Sequence, residues 1–167
     1  MRITRREIPG GNAGIMATVE TMRDLAVAGS NDPEVVAWAE GLAVGSCCPS
    51  VVIEQIRKFL TTFIRFEPDP VGVELVRDPL YMLRQVGRLR YSEGDCDDTA
   101  TLGAALGLAN ELPARFRLLS LDESLVYSHV FVELWSGTGT DWVPLDTTAP
   151  AQFPPGMEVW AEETVEV

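Results

Sequence analysis

Residues 94–109 decide the fold, and they read GDCDDTATLGAALGLA. Asp95 is a suitable N-cap and Asp98 falls three residues later, which is the spacing of a capping box. Cys96 would then be the first residue of a helix that is rich in small residues and carries two glycines four positions apart. Such glycines lie on one helix face and allow another backbone to come close. We therefore expect a central helix that packs tightly on a sheet.

The position of Cys96 favours thiol chemistry. The unpaired N–H groups and the positive dipole end of a helix N-terminus stabilise a thiolate, and they can also hold the oxygen of a tetrahedral intermediate. The carboxylates of Asp95, Asp97 and Asp98 act in the opposite direction. We expect the dipole and a nearby imidazolium to prevail only where these carboxylates turn outward or bind the backbone. The alternative is a small buried apolar residue, as most unpaired cysteines are.

The segments before this helix predict further helices. Apolar residues recur at close to a 3.6-residue period over 13–28, 33–44 and 51–64, with Asp32 as an N-cap and Pro33 at the first helical position. Residues 71–74 could be extended, and Asp78 and Pro79 open a short helix over 80–86. Asn110 would end the central helix in the left-handed conformation.

The last third of the chain predicts strands. Residues 114–121 and 127–135 alternate, and a hairpin loop at 136–140 precedes a strand over 142–145. The tail contains Pro150, Pro154 and Pro155, which suit a surface segment rather than a central strand. Helices followed by an antiparallel meander predict one α+β domain, with a helical part at 1–66, a core at 79–150 and a proline-rich tail at 151–167.

His129 and Asp146 belong to two consecutive predicted strands. With a hairpin loop of 136–139, Trp135 pairs with Thr140 and His129 lies opposite Asp146. A five-residue loop would place Asp146 on the opposite face unless a bulge restores it. The alternatives are an imidazole bound to a backbone carbonyl and a turn-forming carboxylate.

A thiol, a base and an orienting acceptor thus occur in the order Cys96, His129, Asp146. A thiol at a helix start needs a base, and the base needs an acceptor that fixes its tautomer. The three residues together predict acyl transfer through a thioester.

Four blocks resemble the transglutaminase-like superfamily: residues 94–98 with the helix that follows, 112–116, 129–133 and 142–148. The resemblance covers residues 79–150 and implies a papain-like α+β fold in which Cys96, His129 and Asp146 are catalytic. Residues 66–83 are similar to uncharacterised bacterial members, some of them encoded by prophages. The family includes transglutaminases, peptidases and amidases as well as members with no known activity.

The resemblance implies a cysteine enzyme that acts on an amide of a protein or peptide, and we expect hydrolysis because the short chain offers no extra domain to exclude water. The alternative is a non-catalytic papain-like module that serves binding or assembly, for example in a phage-related particle. Backbone N–H groups at Cys96 could form the oxyanion hole. Tyr81, Gln85 and Tyr91 are further candidates, since they precede the cysteine block and can donate; packing or solvation would equally explain them.

The amino-acid composition bears on the partners and the cellular compartment of the protein. The 167 residues are 46% apolar and carry 13 basic against 25 acidic side chains, a formal charge of −12. This surface would repel phosphate backbones, so we expect no nucleic-acid partner. There is no apolar run of about 20 residues and no signal-peptide pattern, so we expect no membrane partner and a cytoplasmic location. Three cysteines, an odd number, fit a reducing compartment.

We expect neither a metal nor another cofactor. Cys47 and Cys48 are adjacent but lack Cys-x-x-Cys spacing, and the chain has one histidine, which is too few ligands for zinc. Asp95, Asp97 and Asp98 lack the alternating ligands and terminal glutamate of an EF-hand, so capping and solvation explain them.

Overall fold

The computed structural model describes residues 9–71, 73–137, 141–148 and 158–167. Within these ranges the chain has an α+β fold, as predicted, in which helices precede an antiparallel sheet. The helices are α1 (Asn12–Ser30), α2 (Pro33–Ala43), α3 (Pro49–Phe63), α4 (Pro79–Leu89) and α5 (Cys96–Ala109). The strands are β1 (Ile64–Phe66), β2 (Ser92–Gly94), β3 (Ala114–Ser120), β4 (His129–Trp135), β5 (Trp142–Leu145) and β6 (Ala161–Glu166).

The helix starts follow the predicted capping residues, and α5 ends at Ala109 as predicted, but the conformation predicted for Asn110 is wrong. The Asp32 side chain accepts a hydrogen bond from the Glu34 N–H at 2.8 Å, and Asp78 caps α4 in the same way. Asn110 is not left-handed: its φ is −97°, and Glu111 has a φ of 60° instead. The reason is that the Asn110 amide donates to the carbonyls of Ala39 and Leu106, which fixes it between α2 and α5.

The main sheet has the strand order β5-β4-β3-β6, and all its pairs are antiparallel. The predicted meander of β3, β4 and β5 is therefore confirmed. The tail adds an edge strand that we did not predict: β6 lies beyond all three prolines and pairs with β3 along its whole length. Those prolines lie outside the described residues.

A short parallel pair, β1 with β2, was also missed. Ile64 is the first residue of β1 and pairs with Ser92. The residue that was predicted to end the third helix therefore begins a strand directly after α3. The described residues of 71–74 belong to no strand. The pair matters for the site because β2 leads directly into α5.

Helix α5 occupies the centre of the fold, as its small residues predicted. Residues 97–107 are all buried, between the other helices on one side and β4 on the other. A Cβ added at Gly103 would come within 2.8 Å of Cγ1 of Val132, so the glycine allows the close approach. None of the helices in the described ranges combines the length and apolar character that a bilayer span requires.

Candidate active site

The register of β4 and β5 brings His129 and Asp146 onto the same face. Trp135 pairs with Trp142 and Val132 with Leu145, so the connection is two residues longer than the predicted four-residue loop. The predicted pairing of Trp135 with Thr140 is therefore wrong. A difference of two residues preserves the face of every side chain. Asp146 consequently stays on the His129 face, and the two side chains meet.

The His129–Asp146 contact defines the roles of the ring nitrogens. His129 Nε2 lies 2.9 Å from Asp146 Oδ2, and the imidazole side chain is only 1% exposed. The N–H and the hydroxyl of Thr148 donate to Asp146 Oδ1 at 3.3 and 3.4 Å. Since a carboxylate can only accept, the proton of the neutral ring lies on Nε2 and Nδ1 is the basic nitrogen.

Cys96 begins α5, and a buried ion pair fixes this helix start. The Asp95 N–H donates to Asp98 Oδ2 at 3.3 Å, which is one arm of the predicted capping box. The side chain of Asp98 is fully buried and also accepts from the Arg77 N–H at 2.6 Å, while the Arg77 guanidinium pairs with Oδ2. Arg77 thus ties the segment before α4 to the first turn of α5.

Cys96 and His129 both line one cleft of about 360 Å³. Helix α1 covers this cleft with one side of its surface. The lining residues from α1 are Ile15, Thr18, Val19 and Met22. Phe66 and Glu74 line the cleft as well, together with Asp95 and Asp97 beside the cysteine. The thiol and the imidazole are therefore walls of a common space that is large enough for a short peptide segment.

Burial dominates the electrostatics of the thiol. It raises the pKa of Cys96 to about 12, and the charges of Asp97 and Asp95 add to the rise. Backbone hydrogen bonds from Val130 and Asp97 oppose it. We expected the dipole and an imidazolium to prevail only where the three carboxylates turn outward or bind the backbone, and this condition is met only in part. Asp98 does bind the backbone and Arg77, but Asp95 and Asp97 remain beside the sulfur.

Burial raises the pKa values of the carboxyl groups around the helix start. Burial, then the hydrogen bond with Asp95 and the neighbouring charges, raise the pKa of Asp97 well above its usual range. Burial likewise raises the pKa of Asp98 to about 6, against the opposing effect of Arg77. Burial foremost, then the charge of Asp95, also raises the pKa of Glu74. Three acidic side chains, Glu74, Asp95 and Asp97, thus line the cleft with Cys96.

Oxygens of Asp95, Asp97 and Asp98 lie within 4.8 Å of one another, close enough for a metal ion. Arg77 already neutralises Asp98, so two of the three carboxylates remain for any such ion. Hard cations such as Ca²⁺ take six to eight oxygen ligands. The donor set therefore fits a metal poorly, and the absence of a cofactor stays a prediction.

The structure does not bring the three side-chain oxyanion candidates to the cleft. Tyr81 packs against the core from α4, and the Tyr91 ring lies beneath the Arg65 guanidinium at 3.7 Å. Neither these residues nor Gln85 are among the described residues that line the cleft. We therefore assign none of the three an oxyanion role, which leaves the N–H groups at the start of α5.

Sequence reasoning missed the contributions of α1, Glu74 and Arg77. The apolar stripe of α1 was visible, but a stripe at helical spacing predicts core packing as readily as a cleft wall. Glu74 and Arg77 lie about 20 residues before the cysteine in a segment without clear periodicity. Their proximity to α5 is a tertiary contact that no local signal carries.

Comparisons with known proteins agree with this fold. The model of the transglutaminase-like superfamily matches residues 53–147, which is more than half of the chain. The chain belongs to this superfamily. A solved structure described as a "putative protease" from Parabacteroides distasonis is similar over 71% of the chain, with a TM-score of 0.56 and 17% identity. The chain spans 24% of that protein, so the likeness concerns the fold alone. No curated protein matched the chain.

Proposed function

We propose that this protein is a cysteine enzyme that transfers the acyl group of an amide through a thioester, with water as the acceptor. One observation carries the proposal: His129, which is hydrogen-bonded to Asp146, lines the same cleft as Cys96 at the N-terminus of α5. A nucleophile, a base and an orienting acceptor are the components that thiol-dependent acyl transfer needs.

The proposed reaction begins with the neutral thiol. As the Cys96 sulfur attacks the carbonyl carbon, His129 Nδ1 takes the thiol proton and the carbonyl electron pair moves to oxygen. Backbone N–H groups at the start of α5 stabilise that oxyanion. The C–N bond then breaks, and His129 returns the proton to the leaving amine.

The second half hydrolyses the thioester. Water attacks the acyl carbon, and His129 takes a proton from the water. The C–S bond breaks, the sulfur recovers the proton, and a carboxylic acid leaves. Asp146 accepts a hydrogen bond from Nε2 throughout, so it holds the ring in one tautomer and stabilises the imidazolium that forms.

One observation favours a second candidate, a binding or assembly module with an idle triad. Burial raises the pKa of Cys96 to about 12, so the thiol is neutral at pH 7 and is a poor nucleophile by itself. Such a thiol gives no reaction unless substrate binding or proton transfer to His129 activates it. A test of function must therefore use a reagent that occupies the cleft rather than a small alkylating agent.

A peptide probe with a thiol-directed electrophile tests the proposal. We expect it to label Cys96 in the wild type, with mass spectrometry locating the adduct, and to leave Cys96→Ala unlabelled at this position. His129→Ala should slow the labelling by at least a hundredfold. Cys47 and Cys48, which are exposed, serve as internal controls for general thiol reactivity.

The binding module predicts another pattern. Cys96 would then react no faster than the exposed cysteines, and His129→Ala would have no effect on the rate. That result, obtained with folded protein, would overturn the catalytic proposal.

A further inference from the structure

Cys47 and Cys48 form a pair of neighbouring thiols on the surface, apart from the cleft. Both residues are exposed in the connection between α2 and α3, and their Sγ atoms lie 3.4 Å apart. Neither is among the described residues that line the cleft with Cys96. Adjacent cysteines need not bring their sulfurs together, because each side chain can take several staggered rotamers. The contact therefore places two oxidisable sulfurs side by side in the reduced protein.

The two thiols differ because Cys48 lies at the start of a helix. Cys48 is the N-cap of α3, and its sulfur lies 3.3 Å from the Ser50 hydroxyl. The hydrogen bond with Ser50 foremost, then those with Cys47 and the Val51 N–H, lower the pKa of Cys48. The hydrogen bond with Cys48 and then its charge raise the pKa of Cys47. When one of the pair ionises, Cys48 is therefore the thiolate and Cys47 the thiol that donates to it.

This combination is typical of cysteines that respond reversibly to oxidants. Such cysteines are solvent-accessible, have thiolate character and lie next to a second cysteine that can attack the oxidised one. Cys48 has the first two properties, and Cys47 supplies the third. Cys96 is the contrasting case in this chain, because burial raises the pKa of its thiol to about 12.

We infer that Cys47 and Cys48 form a reversible redox site, which a hydroperoxide converts into a disulfide between the two neighbouring residues. With hydrogen peroxide, the Cys48 sulfur attacks one oxygen, the O–O bond breaks, and the leaving hydroxide takes a proton from solvent, which gives water and a sulfenic acid. The Cys47 sulfur then attacks the Cys48 sulfur, the S–O bond breaks, and the hydroxide leaves as water with the thiol proton of Cys47. The two sulfurs lose two electrons, and the peroxide is reduced to two molecules of water.

The short connection between the two residues makes this disulfide easy to reduce. Consecutive Cα atoms lie about 3.8 Å apart across a trans peptide, which is closer than the separation of about 4.4–6.8 Å that is usual for disulfides. Strain and exposure are typical of labile disulfides rather than structural ones. A thiol reductant should therefore restore both thiols, so that the site can be oxidised again.

Treatment of the reduced full chain with hydrogen peroxide tests the inference. Trypsin leaves both cysteines in one peptide, residues 24–57, and Cys96 in another, residues 91–115. We expect the first peptide to lose the mass of two hydrogen atoms and to regain it with dithiothreitol. The rate of this change should not depend on protein concentration, because the bond forms within one chain.

Variants assign the steps to the two sulfurs. Cys47→Ser should stop at the sulfenic acid, which dimedone traps on Cys48, whereas Cys48→Ser should form a sulfenic acid about threefold more slowly or less. Ser50→Ala should slow disulfide formation about threefold, because it removes the hydrogen bond that contributes most to the low pKa of Cys48. Ser46→Ala is the matched control: Ser46 precedes Cys47, but among the described residues its hydroxyl donates to neither sulfur. It should leave the rate unchanged.

Three results would each overturn the inference: an unchanged mass of residues 24–57 under peroxide that oxidises free cysteine, a disulfide that joins two copies of the chain only, or a sulfinic acid in place of the disulfide. A rate that Ser50→Ala leaves unchanged would overturn it as well, because the reactivity would then not depend on the surroundings of Cys48. The proposed function fails separately. The disulfide without probe labelling of Cys96 contradicts catalysis alone, and labelling without the disulfide contradicts the redox site alone.

Discussion

Replacement of Gly103 by alanine should destabilise the protein although alanine is the better helix former. The added Cβ would lie 2.8 Å from Cγ1 of Val132 and 3.3 Å from Cδ1 of Leu60. Both neighbours are fully buried and have no space to retreat. Overpacking of this kind costs about 1–3 kcal/mol, while the higher helix propensity of alanine returns about 1 kcal/mol. We expect a net loss of up to about 2 kcal/mol.

Urea denaturation followed by circular dichroism measures this loss. Gly41→Ala is the matched control, because Gly41 lies in α2, is exposed, and an added Cβ there meets nothing within 4 Å. That variant should gain up to about 1 kcal/mol. If Gly103→Ala were stabilised like Gly41→Ala, the close contact between α5 and β4 would be refuted, and with it the placement of the cysteine helix.

Three further predictions concern the site. Asp146→Asn should lower kcat/KM about 10²–10⁴-fold without unfolding the protein, because the ring loses its fixed tautomer; unchanged kinetics on the same peptide would remove Asp146 from the triad. Asp97→Asn should stabilise the fold, and the gain should increase as pH rises. Because the pKa of Asp97 is higher in the folded than in the unfolded protein, raising the pH above the unfolded-state pKa lowers the stability of the wild type alone. Urea titrations of the two proteins at pH 5 and 8 measure this difference. Arg77→Met should lower the free energy of unfolding by about 3–5 kcal/mol at pH 8, because the buried Asp98 carboxylate loses its cationic partner. The loss should be smaller at pH 5, where Asp98, with a pKa of about 6, takes up a proton. A loss of stability that does not depend on pH would contradict this account.

The sequence predicts those parts of the fold that depend on local signals. Asp32, Asp78 and the Asp95–Asp98 pair mark helix starts because capping is a contact between residues two or three positions apart. Asn110 follows the last residue of α5, as predicted, but it is not left-handed because its side chain binds α2, a contact that the local sequence does not reveal. Strand β6 was missed for the same reason: an edge strand of polar residues has little pattern until a partner is known.

The proximity of His129 and Asp146 was predictable because alternation along the strands determines which face a side chain lies on. This face does not depend on the exact pairing partner, provided that the loop length changes by an even number of residues. The hairpin was two residues longer than expected, and Trp135 acquired another partner, yet Asp146 still met His129. A loop longer by one residue would have separated them. A prediction of which side chains share a face of a hairpin therefore survives a two-residue error in loop length, but it does not survive a one-residue error.

The pKa of the thiol was not predictable, and its cause has a functional consequence. The position of Cys96 at a helix start lowers the pKa of its thiol through the helix dipole, whereas burial raises that pKa by disfavouring the charged thiolate. Burial is the larger effect here. A thiol that burial keeps neutral needs a base that takes its proton during the attack. The role proposed for His129 therefore follows from the burial of Cys96 rather than from the position of Cys96 at a helix start.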